Sequence, residues 1–169
     1  MTSNVEQAKS DIIREFEVVS VANGYRTTPS QVIGAIRHPN DIQNLAVNSP
    51  EIGVEFGVEQ LKPMDQAWTT FESLVFVMVA CAFKVNTDLG NEAVNLETEA
   101  EKIRHDLKRV VATIMKKYIV GATAPWNVSP NTKSIEFGAI TGEGFKRNVA
   151  SVGCSFEIQL RHQDGTFST

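Results

Sequence analysis

The longest regular pattern of hydrophobic and polar positions in this chain runs from Val149 to His162. The even-numbered positions from 150 to 160 are all apolar, and the odd-numbered positions from 151 to 161 are all small or polar. Because successive side chains of a β-strand point to opposite faces, this pattern predicts one long strand with an apolar face and a polar face. At about 3.3 Å per residue the strand would span roughly 45 Å. A compact domain of this size is roughly 40 Å across, so we expect the strand to cross the whole domain.

Two other segments repeat apolar residues at steps of three and four, which is the spacing of one helix face. The first helix is predicted from Asn4 to about Val21, and Ser3 with Glu6 forms a capping box at its start. The second and stronger helix is predicted from about Glu92 to Tyr118. Acidic residues crowd its beginning and two lysines lie at its end, as the helix dipole favours.

Further strands are predicted between and after these helices. Alternation of apolar and polar residues predicts a strand from Ile52 to about Glu59. A second long strand is predicted from Trp68 to Val85. The portion 74–83 of this second strand is apolar on both faces, so we expect it to lie centrally in the sheet with both faces covered. A short extended piece, Gln31 to Ile36, comes before these strands. The strand Lys133 to Ile140 is expected to form a hairpin with the last strand, through a turn at 141–144.

Two connections are long enough to have a role of their own. Arg37 to Pro50 is predicted as a loop, with a short helix from Asp41 to Val47, capped by Asn40, as the alternative. Gly121 to Asn131 is predicted as a second loop, which contains Trp126. That tryptophan is expected either to cover the C-terminus of the second helix or to be an exposed anchor at a protein interface, where tryptophan is enriched.

The order of these elements, α-β-β-β-α-β-β, predicts an α+β fold. It contains a mixed, largely antiparallel β-sheet of four to five strands, packed against two main α-helices on one face. The length of 169 residues and the apolar content of 42% fit one domain covering residues 1–169.

Composition and charge narrow the class of protein. The formal net charge of −4 argues against a protein that coats nucleic acid. The longest apolar run, Leu74 to Phe83, is too short to span a membrane, and the first residues show no secretory-signal pattern. Cys81 and Cys154 occupy apolar strand positions, so we expect buried thiols in a protein made in a reducing cytoplasm.

Candidate chemistry is sparse in this sequence. His38, His105 and His162 have no other ligand-type residue at metal-site spacing, so we expect them at the surface. The glycines from 138 to 144, followed by Lys146, do not have the spacing of a phosphate-binding loop and suit a hairpin turn better. No catalytic residue, cofactor site or metal site is predicted, and the chain is not expected to be an enzyme.

Several local segments, together with this order of elements, are typical of one family of proteins. They are Gly24-Tyr25-Arg26 after the first helix, Val32-Ile33-Gly34-Ala35-Ile36-Arg37-His38-Pro39 in the short strand and loop, and Ser49-Pro50-Glu51-Ile52-Gly53-Val54 at the entry to the next strand. With the central apolar strand, the long helix and the closing hairpin, the chain resembles the tail-terminator and neck (tail-completion) proteins of tailed bacteriophages.

The resemblance implies a structural protein of the virion, assembled in the host cytoplasm. Such proteins form a homo-oligomeric ring, usually a hexamer, that caps the tail tube and stops its polymerisation. Their expected partners are the tail-tube protein on one side and the head-connector or neck protein on the other. DNA would pass through the lumen without specific binding, and no cofactor or membrane is implied.

The polar side of the last strand is the candidate surface for this role. We expect it to face a wet lumen or a neighbouring subunit, with bulk solvent as the alternative. Its residues are Ser151, Ser155, Glu157, Gln159 and Arg161. The competing functions are another neck, connector or tail-completion protein, or a small α+β enzyme or ligand-binding domain.

Overall fold

The computed structural model of the protein describes residues 3–64, 66, 70–87, 90–120, 124–140 and 148–163. Its elements in chain order are α1 (Asn4–Glu17), a 3-10 turn (Val21–Asn23), β1 (Gln31–Ile33), α2 (Pro39–Ile42), β2 (Glu51–Pro63), β3 (Thr70–Lys84), α3 (Glu92–Lys117), β4 (Trp126–Val128), β5 (Gly138–Ile140) and β6 (Val149–Gln163).

One sheet joins all the strands in the order β1-β2-β3-β6-β4, and β5 pairs with the other end of β6. β1 runs parallel to β2, and the remaining pairs are antiparallel. The α+β class and the mixed, largely antiparallel sheet are therefore confirmed, and the described strands number six. The additional strand is β4, which lies in the segment predicted as a loop.

Both main helices form for the predicted reasons. The capping box at the start of α1 is present, because Ser3 accepts the backbone N–H of Glu6 while the Glu6 carboxylate accepts the N–H of Ser3. α1 ends at Glu17, earlier than expected, and the chain passes into the 3-10 turn. That turn ends at Gly24, whose φ of 77° lies in the left-handed region that favours glycine. α3 is confirmed from Glu92 to Lys117.

The main core lies between one face of the sheet and the two long helices. The face consists of odd-numbered residues of β3 and even-numbered residues of β6, which pair directly, as Val77 does with Phe156. They pack against apolar residues of α1 and α3 such as Phe16, Ile103 and Ile114. β3 is central and β6 extends along its whole length, so both long-strand predictions are confirmed.

The opposite face of the sheet, here called the second face, has no long helix on it. It is formed by the even-numbered residues of β3 and the odd-numbered residues of β6. The chain after β1 crosses it so closely that a Cβ atom on Gly53 would lie 2.3 Å from the carbonyl oxygen of Ala35. Further along, Ile42 of α2 packs on Ala82 and Val149. Because these segments cover only part of the sheet, the expectation that β3 is covered on both faces is correct only in part.

The segments between the long elements differ most from expectation. The short helix α2 is present, but it begins at Pro39 and its N-cap is His38, whose Nδ1 accepts the N–H of Asn40. β1 is shorter than predicted because the chain leaves the sheet after Ile33 to cross Gly53. β5 is also shorter, and only Gly138–Ile140 pairs with β6. Trp68 and the predicted turn at 141–144 lie outside the described residues.

Both cysteines are buried in the main core, as predicted. Cys81 and Cys154 are free thiols on the helix-covered face of the sheet. Burial raises the pKa of Cys154 to about 12 and also raises the pKa of Cys81, because an apolar environment disfavours the thiolate. Both side chains therefore act as small hydrophobic residues.

Candidate interaction surface

Four of the predicted polar residues of β6, Ser151, Ser155, Glu157 and Gln159, lie on the second face, but they do not share one environment. Ser151 is buried, and its hydroxyl donates to the carbonyl oxygen of Cys81 at 3.2 Å. Gln159 is also buried, and its Oε1 accepts the Asn127 side-chain amide at 3.0 Å. For these two residues the prediction of a wet face is wrong, because both side chains are buried and hydrogen-bonded within the chain.

The middle of the polar face remains accessible. Ser155 and Glu157 are half-buried, whereas the side chain of Arg161 lies outside the described residues. Ser155 lies opposite Met78 of β3, and Glu157 lies opposite Phe76. Thus polar residues of one strand alternate across the sheet with large apolar residues of its neighbour, and the surface is mixed in character.

Two neighbouring depressions occupy this middle region and share Phe76 and Ser155. The apolar depression has a volume of about 380 Å³ and is lined mainly by Ile36, Phe76, Met78 and Ala139. The Glu157 depression has a volume of about 370 Å³ and is lined by Phe76, Ser155, Phe156, Glu157 and residues 131–134. The Phe76 side chain between them is 45% exposed, which is high for a phenylalanine on a central strand.

Glu157 is held in place through its backbone. Its carbonyl oxygen accepts the N–H of Ser129 at 2.8 Å, and its own N–H donates to the Thr132 hydroxyl at 3.4 Å. The carboxylate differs, because its Oε1 is buried and has no hydrogen-bond partner among the described residues. A carboxylate oxygen withdrawn from water usually has a donor, so Oε1 of Glu157 departs from the usual pattern.

An ion pair between a buried carboxylate and a partly exposed arginine lies beside the apolar depression. Glu51 of β2 lies on the second face, and its carboxylate accepts hydrogen bonds from Arg37 and Gln31. The next carboxylate on that face, Glu55, accepts the N–H of Ile36 at 3.2 Å. These contacts hold residues 31–37 against the sheet. The Arg37 guanidinium, which donates to Glu51, lowers the pKa of that carboxyl below its usual range.

Replacing Glu51 with glutamine should destabilise the protein by about 1 kcal/mol at neutral pH, because Arg37, which is partly exposed and therefore screened by water, loses its charged partner. Since the folded-state pKa of Glu51 is lowered, its contribution is present above the unfolded-state pKa of about 4.3. It is lost as the pH falls through the lower folded-state pKa. Urea unfolding at a series of pH values should therefore show the two proteins converging only in acid. Glu136→Gln, an exposed control, should change stability by less than about 0.5 kcal/mol.

Trp126 lies in the core and not at the surface. Its side chain is 1% exposed, its Nε1–H donates to Asp11 at 3.0 Å, and its ring stacks on Tyr118 with centroids 4.0 Å apart. Tyr118 is the C-cap residue of α3, so Trp126 covers the helix C-terminus. The alternative of an exposed interface anchor is wrong, because β4 places this side chain between α1 and α3.

No protein-family model and no curated protein matches this chain. The observations that bear on its function are therefore the surfaces described above, the edges of the sheet and the resemblance carried by the sequence segments.

The residue types that usually form catalytic or metal sites are dispersed. Within the described ranges, no group of three His, Cys, Asp or Glu residues is placed to hold a metal ion. His38 is exposed as the N-cap of α2, and Nδ1 of His105 lies 3.4 Å from the Asp106 carboxylate. The side chain of His162 is not among those described. In the same residues, no helix has both the length and the apolar composition needed to span a membrane.

The apolar residues that line the depressions on the second face differ from the prediction that the run 74–83 is covered on both faces. Phe76 is exposed, and Met78 and Ile36 are half-buried. A signal was available, because apolar residues on both faces of a strand indicate either burial or an interaction surface. The sequence alone does not distinguish these two outcomes.

Proposed function

We propose that this chain is the subunit of a ring that caps the tail tube of a tailed bacteriophage. The ring would stop polymerisation of the tube and provide the surface to which the head connector attaches. The family resemblance suggests this role, and one structural observation supports ring assembly most directly. That observation is the long outer edge of β2.

β2 contains thirteen residues, and β1 pairs with its outer side only at Glu51–Gly53. Among the described residues, no strand pairs with the outer side of 54–63. Two apolar residues of this unpaired segment have large exposed fractions, Val58 at 77% and Leu61 at 47%. A strand edge of this length in a monomer invites pairing with another chain, and natural proteins usually protect such edges. In β2, Pro63 and a register shift after Phe56 hinder pairing with another chain only at their own positions.

A second exposed apolar site lies near the opposite edge of the sheet, beside β4. Ile119 and Val120 follow α3 and are 56% and 54% exposed. They lie next to β4, because the N–H of Val128 donates to the carbonyl oxygen of Tyr118. β2 and β4 are on opposite sides of β3 and β6 in the sheet. Two different patches on opposite sides of a subunit suit a head-to-tail interface, which forms a ring when its rotation closes.

The test is the mass of the purified protein in solution. Sedimentation velocity and mass photometry over a range of concentrations should show a closed species of several copies, with a hexamer as the expected state. Val58→Lys should abolish this species, because a charge would be buried at the β2 edge. Since Val58 is largely exposed, the melting temperature of the Val58→Lys protein should differ from that of the wild type by less than about 3 °C.

Val94→Lys is the matched control, because Val94 is 63% exposed and lies near the start of α3, outside the β2 strand. This variant should assemble like the wild type. Single chains at every concentration would contradict the ring. Unchanged assembly of Val58→Lys would exclude the β2 edge as the interface.

A further inference from the structure

A second unpaired stretch of backbone lies at the edge of the sheet opposite β2. Residues 133–137 lie between β4 and β5 in the chain, yet they belong to no helix or strand. Thr132, just before them, bonds to Glu157 of β6, and Gly138, just after them, lies opposite Gly153. Within the described part of the chain, the backbone groups of 133–137 make no hydrogen bond. The segment therefore follows the outer side of β6 with its donors and acceptors unpaired.

A groove of about 420 Å³ lies between this segment and α3, on the helix side of the sheet. Its lining is mainly apolar and includes Val111, Met115 and Phe137. Lys108 of α3 and Lys133 of the segment also line it, and no carboxylate does so among the described residues. The groove is therefore complementary to an apolar side chain that is accompanied by negative charge.

The outer part of β2 carries this combination on the same side of the sheet. In the ladder with β3, Glu59 lies opposite Val75 and Leu61 lies opposite Ser73. Val75 belongs to the core beneath the helices, and residues opposite each other share a face, so Glu59 and Leu61 point to the helix side. Both residues are exposed.

We propose that residues 133–137 of one copy receive the outer edge of β2 from a second copy of this chain. The two segments pair through their backbones, Leu61 enters the groove, and Glu59 lies near Lys108 and Lys133. The contact rests on the proposed ring, because it names the partner of the β2 edge.

The strand directions suit this pairing. β2 and β6 run in the same direction, because each is antiparallel to β3. β4 and β5 are antiparallel to β6, so the segment between them runs opposite to β2. A rotation about an axis along the strands keeps these directions. It brings β2 of one copy antiparallel to the segment of the next, which is the more stable arrangement.

The occupant is a second copy because both halves of the contact belong to one chain and lie at opposite edges of its sheet. A head-to-tail arrangement covers two unpaired edges in every copy. A different protein on the β2 edge would leave residues 133–137 unpaired.

Hydrogen exchange is the first test, with the assembled wild type compared with Val58→Lys. The amides of 133–137 and of 58–62 should exchange at least about tenfold more slowly in the assembled protein, because they become paired. Amides in the first turn of α3, which lies outside the contact, should exchange equally in both proteins. This measurement on the wild type needs no substitution within 133–137.

Disulfide formation between copies is the second test. Leu61→Cys is combined in one chain with Lys133→Cys, Ile135→Cys or Phe137→Cys, which cover neighbouring registers. One of these pairs should join copies into a covalent series under mild oxidation. The native cysteines are buried and do not compete.

Leu61→Cys with Glu136→Cys is the matched control, because Glu136 lines the depression on the second face and lies on the wrong side of the sheet. It should give no covalent series. Leu61→Cys alone should not join copies either, because a head-to-tail contact brings two different edges together.

The outcomes separate this contact from the ring. A closed species in which 133–137 stay unprotected, and in which none of the three pairs joins copies, overturns the contact and leaves the ring. Covalent series without a closed species support the contact and overturn the ring. Efficient joining by Leu61→Cys alone overturns the contact in favour of pairing between two β2 edges, and single chains at every concentration overturn both.

Discussion

Trp126→Ala is expected to lower the free energy of unfolding by about 3–5 kcal/mol, the range for truncating a buried aromatic residue. The side chain is almost fully buried, and it connects three elements. Its ring stacks on Tyr118 at the end of α3, its Nε1–H donates to Asp11 of α1, and its backbone pairs with Leu160 of β6. Truncation would leave a cavity where these elements meet.

Chemical unfolding in urea measures this loss, and Trp126→Phe is the matched variant. Phenylalanine keeps an aromatic ring near Tyr118 but loses the hydrogen bond to Asp11, so it should cost roughly 1–2 kcal/mol. The order wild type, phenylalanine, alanine is the specific expectation. A loss below about 1 kcal/mol for Trp126→Ala would show that β4 does not hold this part of the core together.

Asp106→Ala should be the second most damaging substitution, at about 3 kcal/mol. The carboxylate is 2% exposed and accepts the N–H of Arg26, the N–H of Thr27 and the hydroxyl of Thr27 at 2.8–3.0 Å. It thereby fastens the segment after the 3-10 turn to α3. Removing the acceptor would leave buried donors without partners, which costs more than the net value of the bonds.

Hydrogen exchange identifies the cause of this loss. In Asp106→Ala, the amide of Thr27 should exchange much faster relative to amides in the centre of α3, because its acceptor is gone. Asp106→Asn keeps one acceptor oxygen and should lie between the wild type and alanine. Unchanged exchange at Thr27 would mean that the loss arises elsewhere. The sequence indicates only weakly that Asp106 binds a distant segment, because the single signal is its place beside the apolar stripe that contains Ile103 and Val110.

The long elements were predictable because their causes are local. The capping box at Ser3 and Glu6, the three- and four-residue steps of α3 and the alternation of β6 are all present within single segments. Side-chain period and end-capping act over a few residues, so a sequence shows them directly. The order of these segments then limited the architecture to an α+β fold.

The short elements were not predictable in the same way. β4 has three residues and is a strand because β6 offers a partner at 158–160. β1 ends at Ile33 because the next residues must cross Gly53. Such segments carry too few residues for a period to be visible, and their conformation depends on contacts with distant parts of the chain.

The residue pattern is sufficient to predict the fold class, the two long helices, the long strands β3 and β6 and the apolar nature of both cysteines. Contacts between distant segments are needed to show which polar residues of β6 are buried, where Trp126 lies and which described carboxylate oxygen is buried without a partner. Ser151 and Glu157 have the same place in the alternation, yet one bonds to a neighbouring strand and the other lines an open depression. The physical reason is that alternation assigns a side chain to a face of the sheet. What covers that face is decided by segments far away in the sequence.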